Sequence, residues 1–349
     1  MRPDSAPQRK QTGAGSPPAP VGAAVTDHLV ADDVGKIFSS KRSFSGKREV
    51  TVAASHVDLD VTPGSRIALV GESGCGKSTL ARILTGLLEP TSGSIHFSGR
   101  SLADLDREGM LAFRRSVQLI FQDPTASLNP RVRVQDTLGR PLLFHRLATK
   151  DTVAEQVLGL LESVGLEPEH STRYPHQLSG GQRQRIAIAR ALSLSPRILI
   201  ADEPVSALDV TIQTELVRLL LDLQEENGFG LLFISHDIGL VQVLAEEVLV
   251  MYRGRVVERG TTADVLERPR HPYTVALLQS VPVPDPRRRR IGDGPAPVRG
   301  DANDDASGLQ PGCPYAARCD RASALCQEED PGLERSEGRH PVACHHPIG

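Results

Sequence analysis

An α/β fold organised around a parallel sheet is what the sequence predicts, and three observations predict it. Four short runs, residues 66–71, 117–122, 197–203 and 231–236, are rich in aliphatic residues and close on a glycine or a polar residue. Strands buried on both faces read this way. Between and around them lie stretches with helical apolar spacing. Residues 152–164 carry Val153, Val157, Leu160, Leu161 and Val164, and residues 211–226 carry Ile212, Leu216, Leu219, Leu220 and Leu223. Third, such runs alternate from His28 to about Pro284, the order that builds α/β sheets.

Taken along the chain, residues 1–27 are rich in Pro, Gly, Ser and Ala without apolar periodicity, and a disordered tail is expected there. The run 66–71 feeds a glycine-rich turn and then a helix. The helix over 211–226 should stop at Asn227-Gly228, a C-terminal signal. Residues 248–260 read as a hairpin turning at Arg253-Gly254. Residues 285–310, with Pro, Gly, Asp and four arginines at 287–290, have linker composition. A small cysteine-containing extension, residues 311–349, follows.

The 349 residues, 39% hydrophobic and 24% charged with net charge −3, describe an ordinary soluble chain. That balance gives no electrostatic reason to expect nucleic-acid binding. No apolar run approaches the roughly 20 residues of a membrane-spanning helix, and the N-terminus lacks the apolar core of a signal peptide. A cytoplasmic setting is expected. Of the five cysteines, Cys313, Cys319, Cys326 and Cys344 cluster near the C-terminus. In a reducing compartment that suggests a metal site more than a disulfide framework.

Three motifs carry chemistry. Gly71-Glu72-Ser73-Gly74-Cys75-Gly76-Lys77-Ser78-Thr79 follows a strand and opens a helix, as a phosphate-binding P-loop does. Its glycines let backbone amides turn inward as an anion nest, and the helix directs its positive end at the phosphates. Lys77 would reach the β- and γ-phosphates and Ser78 would ligate Mg²⁺. The variable position of Cys75 gives it no redox role. Asp202, ending an apolar run, can hold Mg²⁺ through water, and Glu203 beside it can polarise an attacking water. Two acids closing a buried strand are costly without a cation. Leu178-Ser179-Gly180-Gly181-Gln182 ends 20 residues before Asp202 and opens a helix, making a second phosphate site in one chain. One P-loop already takes one triphosphate, so the second site calls for a second nucleotide, most simply one held by a facing subunit.

That pentapeptide is the signature of the ABC ATPases. With Gln122 after a strand, Ser206-Ala207-Leu208-Asp209 after Glu203, and His236 at a strand end, the chain resembles that family from about Leu29 to Pro284. More narrowly it resembles the subunits that power dipeptide, oligopeptide and nickel importers. The matches are Phe121-Gln122-Asp123-Pro124, Ser127-Leu128-Asn129-Pro130, Tyr174-Pro175-His176-Gln177-Leu178, Glu203-Pro204-Val205-Ser206-Ala207-Leu208-Asp209-Val210 and His271-Pro272-Tyr273-Thr274. The Asp-Pro after Gln122 and the Val-Ser-Ala-Leu-Asp variant favour the second of the two ATPases that such importers often carry.

The resemblance implies a P-loop NTPase domain with a mixed sheet core, an antiparallel β subdomain and a helical subdomain. It implies a head-to-tail dimer, with itself or a homologous subunit, and ATP between Lys77 of one copy and Ser179, Gly180, Gly181 and Gln182 of the other. Glu203 would be the catalytic base, His236 would position water and γ-phosphate, and Gln122 would sense Mg²⁺ and γ-phosphate. Asp209 would contact the facing subunit, and Phe38 would stack on adenine, with core packing as its alternative. Partners would be two transmembrane permease subunits and, indirectly, an extracytoplasmic solute-binding protein, with the chain at the cytoplasmic face of the membrane. For the cysteines, the resemblance favours a [4Fe–4S] cluster over zinc or unligated thiols. Two rivals are a soluble ABC ATPase of translation or DNA repair and a regulatory module that senses iron or redox state.

Overall fold

The computed structural model describes residues 27–39, 50–123, 127–206, 208–280, 311–333 and 339–349. The expected tail, residues 1–27, and the expected linker, residues 285–310, therefore lie outside the described residues, apart from Asp27.

Two sheets form the frame. Strands β1 (Leu29–Ser39), β2 (Val50–Val61), β4 (Ser92–Phe97) and β5 (Arg100–Ser101) make an antiparallel sheet in the order β2-β1-β4-β5. The second sheet has the order β10-β9-β3-β8-β7-β6, built from β3 (Arg66–Val70), β6 (Val117–Ile120), β7 (Ile198–Asp202), β8 (Gly230–Ser235), β9 (Glu247–Tyr252) and β10 (Arg255–Thr261). Strands β3, β6, β7, β8 and β9 pair in parallel, and β10 returns antiparallel to β9 through the turn at Arg253-Gly254. The mixed core sheet and the antiparallel subdomain are thus both present.

Along these strands successive side chains serve opposite layers, as the pleat requires. In β3, Ala68 and Val70 join one apolar cluster while Ile67 and Leu69 join the other. The same division separates Leu199 and Ala201 from Ile198 and Ile200. A strand with both faces buried reads as continuously apolar for this reason. Each such aliphatic side chain contributes about 1.5–3 kcal/mol by leaving water.

Helices α1 (Lys77–Leu84) and α2 (Arg107–Ser116) lie on the face shared with the antiparallel sheet, where Leu80, Leu84 and Phe113 are buried. The other face takes α3 (Val134–Phe144), α4 (Val153–Ser163), α5 (Gly180–Leu192), α6 (Val210–Asn227), α7 (Ile238–Leu244), α8 (Thr262–Glu267) and α9 (Pro272–Gln279). Of these, α3, α4 and α5 pack on one another as the expected helical subdomain. Helix α6 ends where the sequence predicts, on Gly228 in the left-handed conformation at φ 67°. The cysteine-bearing extension, with the short α10 (Ala324–Glu328), docks on β10 through backbone bonds such as Ala343 N to Val257 O at 2.8 Å. Among the described residues no helix is long and apolar enough to cross a membrane.

Candidate active site

Register brings the sequence motifs to one edge. Val70 pairs with Ser235, Asp202 with Ile234, and Ile120 with Ala201. The carboxyl ends of β3, β8, β7 and β6 therefore align, and the residues after them, Gly71, His236, Glu203 and Gln122, share one rim. Open α/β sheets bind ligands at this edge.

The P-loop is fixed from outside by the β9–β10 hairpin. The Gly254 amide donates to the Cys75 carbonyl at 2.8 Å, and the Glu72 amide donates to the Tyr273 hydroxyl at 2.8 Å. Burial raises the Tyr273 phenol's pKa well above its ordinary range, so it stays protonated. Two glycines are required by space. A Cβ at Gly71 would stand 2.1 Å from the Met251 carbonyl oxygen, and one at Gly76, at φ 111°, would stand 1.9 Å from that of Ala53. Gly76 is also the N-cap of α1 and offers no side-chain acceptor, so the first-turn amides of Lys77, Ser78 and Thr79 face the loop without a capping oxygen. Ser73 and Gly74 are exposed at the loop's tip, while Cys75 is buried and its thiol pKa is raised by desolvation.

Four polar side chains meet inside this rim. Lys77, 4% exposed, donates to the carbonyls of Gly71 at 2.9 Å and Glu72 at 3.0 Å, and its Nζ lies 3.9 Å from Glu203 Oε1. Gln122 Nε2 donates to Glu203 Oε2 at 3.0 Å, and His236 Nδ1 lies 3.3 Å from the same oxygen. Glu203 thus touches the three groups that the sequence assigns to the γ-phosphate end. Next to it, Ser78 Oγ donates to Asp202 Oδ1 at 3.0 Å. Burial raises the Asp202 carboxyl's pKa, the Ser78 bond opposes that shift, and the nearby Glu203 charge adds to it. A buried carboxylate beside a hydroxyl and a second acid gathers oxygen donors that suit Mg²⁺.

The second predicted phosphate motif opens α5. Ser179 caps α5: its Oγ accepts from the Gln182 amide at 3.2 Å, and Gln182 Oε1 accepts from the Ser179 amide at 3.0 Å. The amides of Gly180 and Gly181 fall in the first turn, whose N–H groups have no intrahelical acceptor. Ser179 and Gly180 are exposed. Asp209 is exposed too and caps α6 by accepting from the Ile212 amide at 3.1 Å. Phe38 is 43% exposed at the end of β1, with Lys36 Nζ 5.5 Å from its ring centre, so core packing is not its role.

The four clustered cysteines, up to 31 residues apart in sequence, line a single small cavity with His271, Tyr315, His345 and His346. Burial pushes the Cys313 thiol's pKa up to about 11, with the other three thiols adding to the shift, and Cys319 and Cys344 shift the same way. Thiols such as Cys313, Cys319 and Cys344, whose pKa values burial raises, are donors that a cation would deprotonate and bind. Among the described residues no three His, Cys, Asp or Glu side chains stand in a metal-coordinating arrangement.

Sequence reasoning missed three residues here. Arg318, Tyr273 and Glu258 tie the extension and α9 to the P-loop and β10, and nothing in their local spacing signals it. Only Tyr273 lay within a quoted match, and there as a motif letter.

The ABC transporter family matches residues 54–206, and the oligopeptide/dipeptide transporter C-terminal region matches residues 257–326. The chain is similar to the dipeptide transport ATP-binding protein DppF of Haemophilus influenzae, 42% identical over 92% of this chain and 97% of that relative. It is similar as well to the dipeptide transport ATP-binding protein DppF of Escherichia coli, 43% identical over 90% of this chain and 93% of the relative. The dimeric post-hydrolysis structure of the ATP-binding cassette MJ0796 bound to ADP and Pi superposes with a TM-score of 0.59 at 30% identity, covering 67% of this chain and 98% of that one. A relative this similar over nearly its whole length, with family matches on both the sheet domain and the extension, shows that this chain belongs to the ATP-binding subunits of ABC transporters, in their dipeptide and oligopeptide branch.

Proposed function

We propose that the chain binds and hydrolyses ATP with Mg²⁺ at the β3–β8–β7–β6 rim and so energises a membrane importer of di- or oligopeptides. The observation that carries this reading is the convergence of Lys77, Gln122 and His236 on Glu203, next to the Ser78–Asp202 pair. The alternative within the same family is a nickel or other small-solute importer.

In the mechanism, the amides of Gly71, Ser73, Gly74, Cys75 and Gly76 and of the first turn of α1 hold the phosphates. Lys77 exchanges its carbonyl partners for β- and γ-phosphate oxygens. Ser78, Asp202 and Gln122 would hold Mg²⁺, which would supply charge stabilisation of the transferring phosphoryl group. Glu203 Oε takes a proton from water as the water oxygen bonds to the γ-phosphorus and the bond to the β–γ bridging oxygen breaks, and His236 orients that water. Phe38, exposed at the end of β1, stacks on adenine.

The exposed Ser179 and Gly180, with the half-buried Gly181 and Gln182, meet the γ-phosphate held by a facing subunit, and Asp209 lies at that contact. The facing subunit is a homologous ABC ATPase or a second copy. The likeness to a dimeric cassette supports this arrangement. A groove lined by Ser127, Asn129, Thr137, Arg140, Phe144 and Arg190 receives one of two permease subunits, which a solute-binding protein supplies from outside. The chain then sits peripherally on the cytoplasmic face of the membrane. The domain division follows the sequence reading: an ATPase domain over 28–284, a linker over 285–310 and the extension over 311–349. For the extension we propose a [4Fe–4S] cluster on Cys313, Cys319, Cys326 and Cys344, with zinc as the alternative. Iron and sulfide analysis of anaerobically purified protein decides between them.

Reconstitution with the permease partners in vesicles tests the whole reading. Lys77→Ala should abolish nucleotide binding and peptide uptake together, and Glu203→Gln should bind ATP yet stop uptake. Uptake that persists in Glu203→Gln removes the assigned base.

A further inference from the structure

The cysteine-bearing extension reaches the P-loop of its own chain. Arg318, the residue before Cys319, sets its guanidinium on the Glu72 carboxylate through two contacts, Nη1 to Oε2 at 3.0 Å and Nη2 to Oε1 at 3.2 Å. The same guanidinium lies 5.9 Å from the Tyr252 ring centre and 5.7 Å from that of Tyr315. Tyr252, Tyr273 and Tyr315 pack together with centroids 4.5–5.5 Å apart, and Tyr273 accepts the Glu72 amide. Side chain and backbone of one P-loop residue are therefore held by the same aromatic cluster.

Glu72 poses an electrostatic problem in this position. It is the second residue of a loop shaped to receive a triphosphate, and a carboxylate there repels the ligand. An ion pair whose members are 33% and 44% exposed adds little to fold stability. A two-point guanidinium–carboxylate pair stacked on aromatic rings does, however, fix a charge in place. The functional consequence lies in the field at the loop.

We propose that Arg318 is a positioning residue for ATP: it cancels the Glu72 charge and holds that carboxylate away from the phosphate nest, so the C-terminal extension completes the nucleotide site. The proposal rests on the assignment of the P-loop rim as the ATP site. It makes the extension a working part of that site, in addition to whatever its four thiols hold.

Binding of a fluorescent ATP analogue, mant-ATP with Mg²⁺, to the full-length chain tests it. Arg318→Ala should raise Kd roughly three- to tenfold at low salt, with a smaller effect above about 0.5 M salt where exposed charges are screened. Glu72→Gln alone should not weaken binding, and the Arg318→Ala/Glu72→Gln pair should return Kd to within roughly twofold of the parent chain. In the reconstituted transporter, KM for ATP should rise while kcat at saturating ATP holds. Arg318→Gln keeps a stem against the tyrosines and should show the same rise if Arg318→Ala disturbs the fold. A parent-like Kd in both Arg318 variants, or a double variant as weak as the single, overturns the proposal. Lys77→Ala, measured alongside, separates this outcome from failure of the ATP-site reading, because only that failure leaves the Lys77→Ala chain binding normally.

Discussion

Glu203 adopts φ +44°, a left-handed backbone conformation that residues with a Cβ seldom accept, and its side chain is only 11% exposed. Its amide donates to the Ile234 carbonyl at 3.0 Å, and its own carbonyl accepts from the Ser206 hydroxyl at 3.1 Å. Neighbouring strands thus impose a conformation costing on the order of 1–3 kcal/mol, and the result is a carboxylate aimed at the rim. Because the isosteric amide keeps the geometry and cannot take a proton, Glu203→Gln should lower ATP turnover by roughly 10²–10⁴-fold while mant-ATP still binds. Stopped turnover and retained fluorescence binding, measured on one preparation, check this. Gly76 shows the same economy of space in a different way. Gly76→Ala places a methyl group against the Ala53 carbonyl, which belongs to backbone and cannot swing aside. A loss of about 2–4 kcal/mol in urea unfolding is expected, and an unchanged midpoint would mean the loop relaxes freely.

At the scale of elements, helix termini form both proposed phosphate sites, yet they are finished differently. Helix α1 begins on a glycine without a side-chain cap, whereas α5 begins on Ser179 within a reciprocal capping box with Gln182. Capping box and phosphate recognition therefore compete for the same serine. Ser179→Ala should cost about 1 kcal/mol of stability through the lost cap. It should leave mant-ATP binding at the chain's own P-loop unchanged and sharply reduce turnover in the assembled transporter. Loss of the chain's own nucleotide binding would place Ser179 in the wrong half-site.

Both helices were legible in the sequence because a P-loop and a Ser-Gly-Gly-Gln turn are contiguous, with their chemistry written in adjacent letters. Gln122 and His236 were legible only through family resemblance. A lone glutamine or histidine after a strand says nothing of the 3.0 Å and 3.3 Å approaches to Glu203 that the sheet register creates. Arg318 carries no local signal of its role, because its partner Glu72 is 246 positions away.

Over the whole molecule, Glu258 fastens the cysteine-bearing extension to β10. It is fully buried on β10 and accepts from the amides of Arg270 at 2.6 Å and His271 at 2.9 Å, with His340 Nε2 at 2.6 Å. One carboxylate thereby joins β10, the start of α9 and the extension. Glu258→Ala leaves three donors in the interior without their acceptor. A loss of about 3–5 kcal/mol is expected in denaturant unfolding, together with faster maleimide labelling of the buried Cys326. A stable variant with Cys326 still protected would show that the extension is held elsewhere.

What the sequence determined by itself are the features that local order encodes: strand and helix periodicity, the glycine-rich loops proposed to bind phosphate, the acids closing β7, and the family these identify. The tertiary structure alone decided which of these features share a rim, that four scattered cysteines border one cavity, and that Arg318 reaches Glu72. The physical reason is that periodicity reflects burial against the nearest layer, a property each segment carries in its own residues. A contact between distant residues depends instead on sheet order and register, which many segments settle together as they pack.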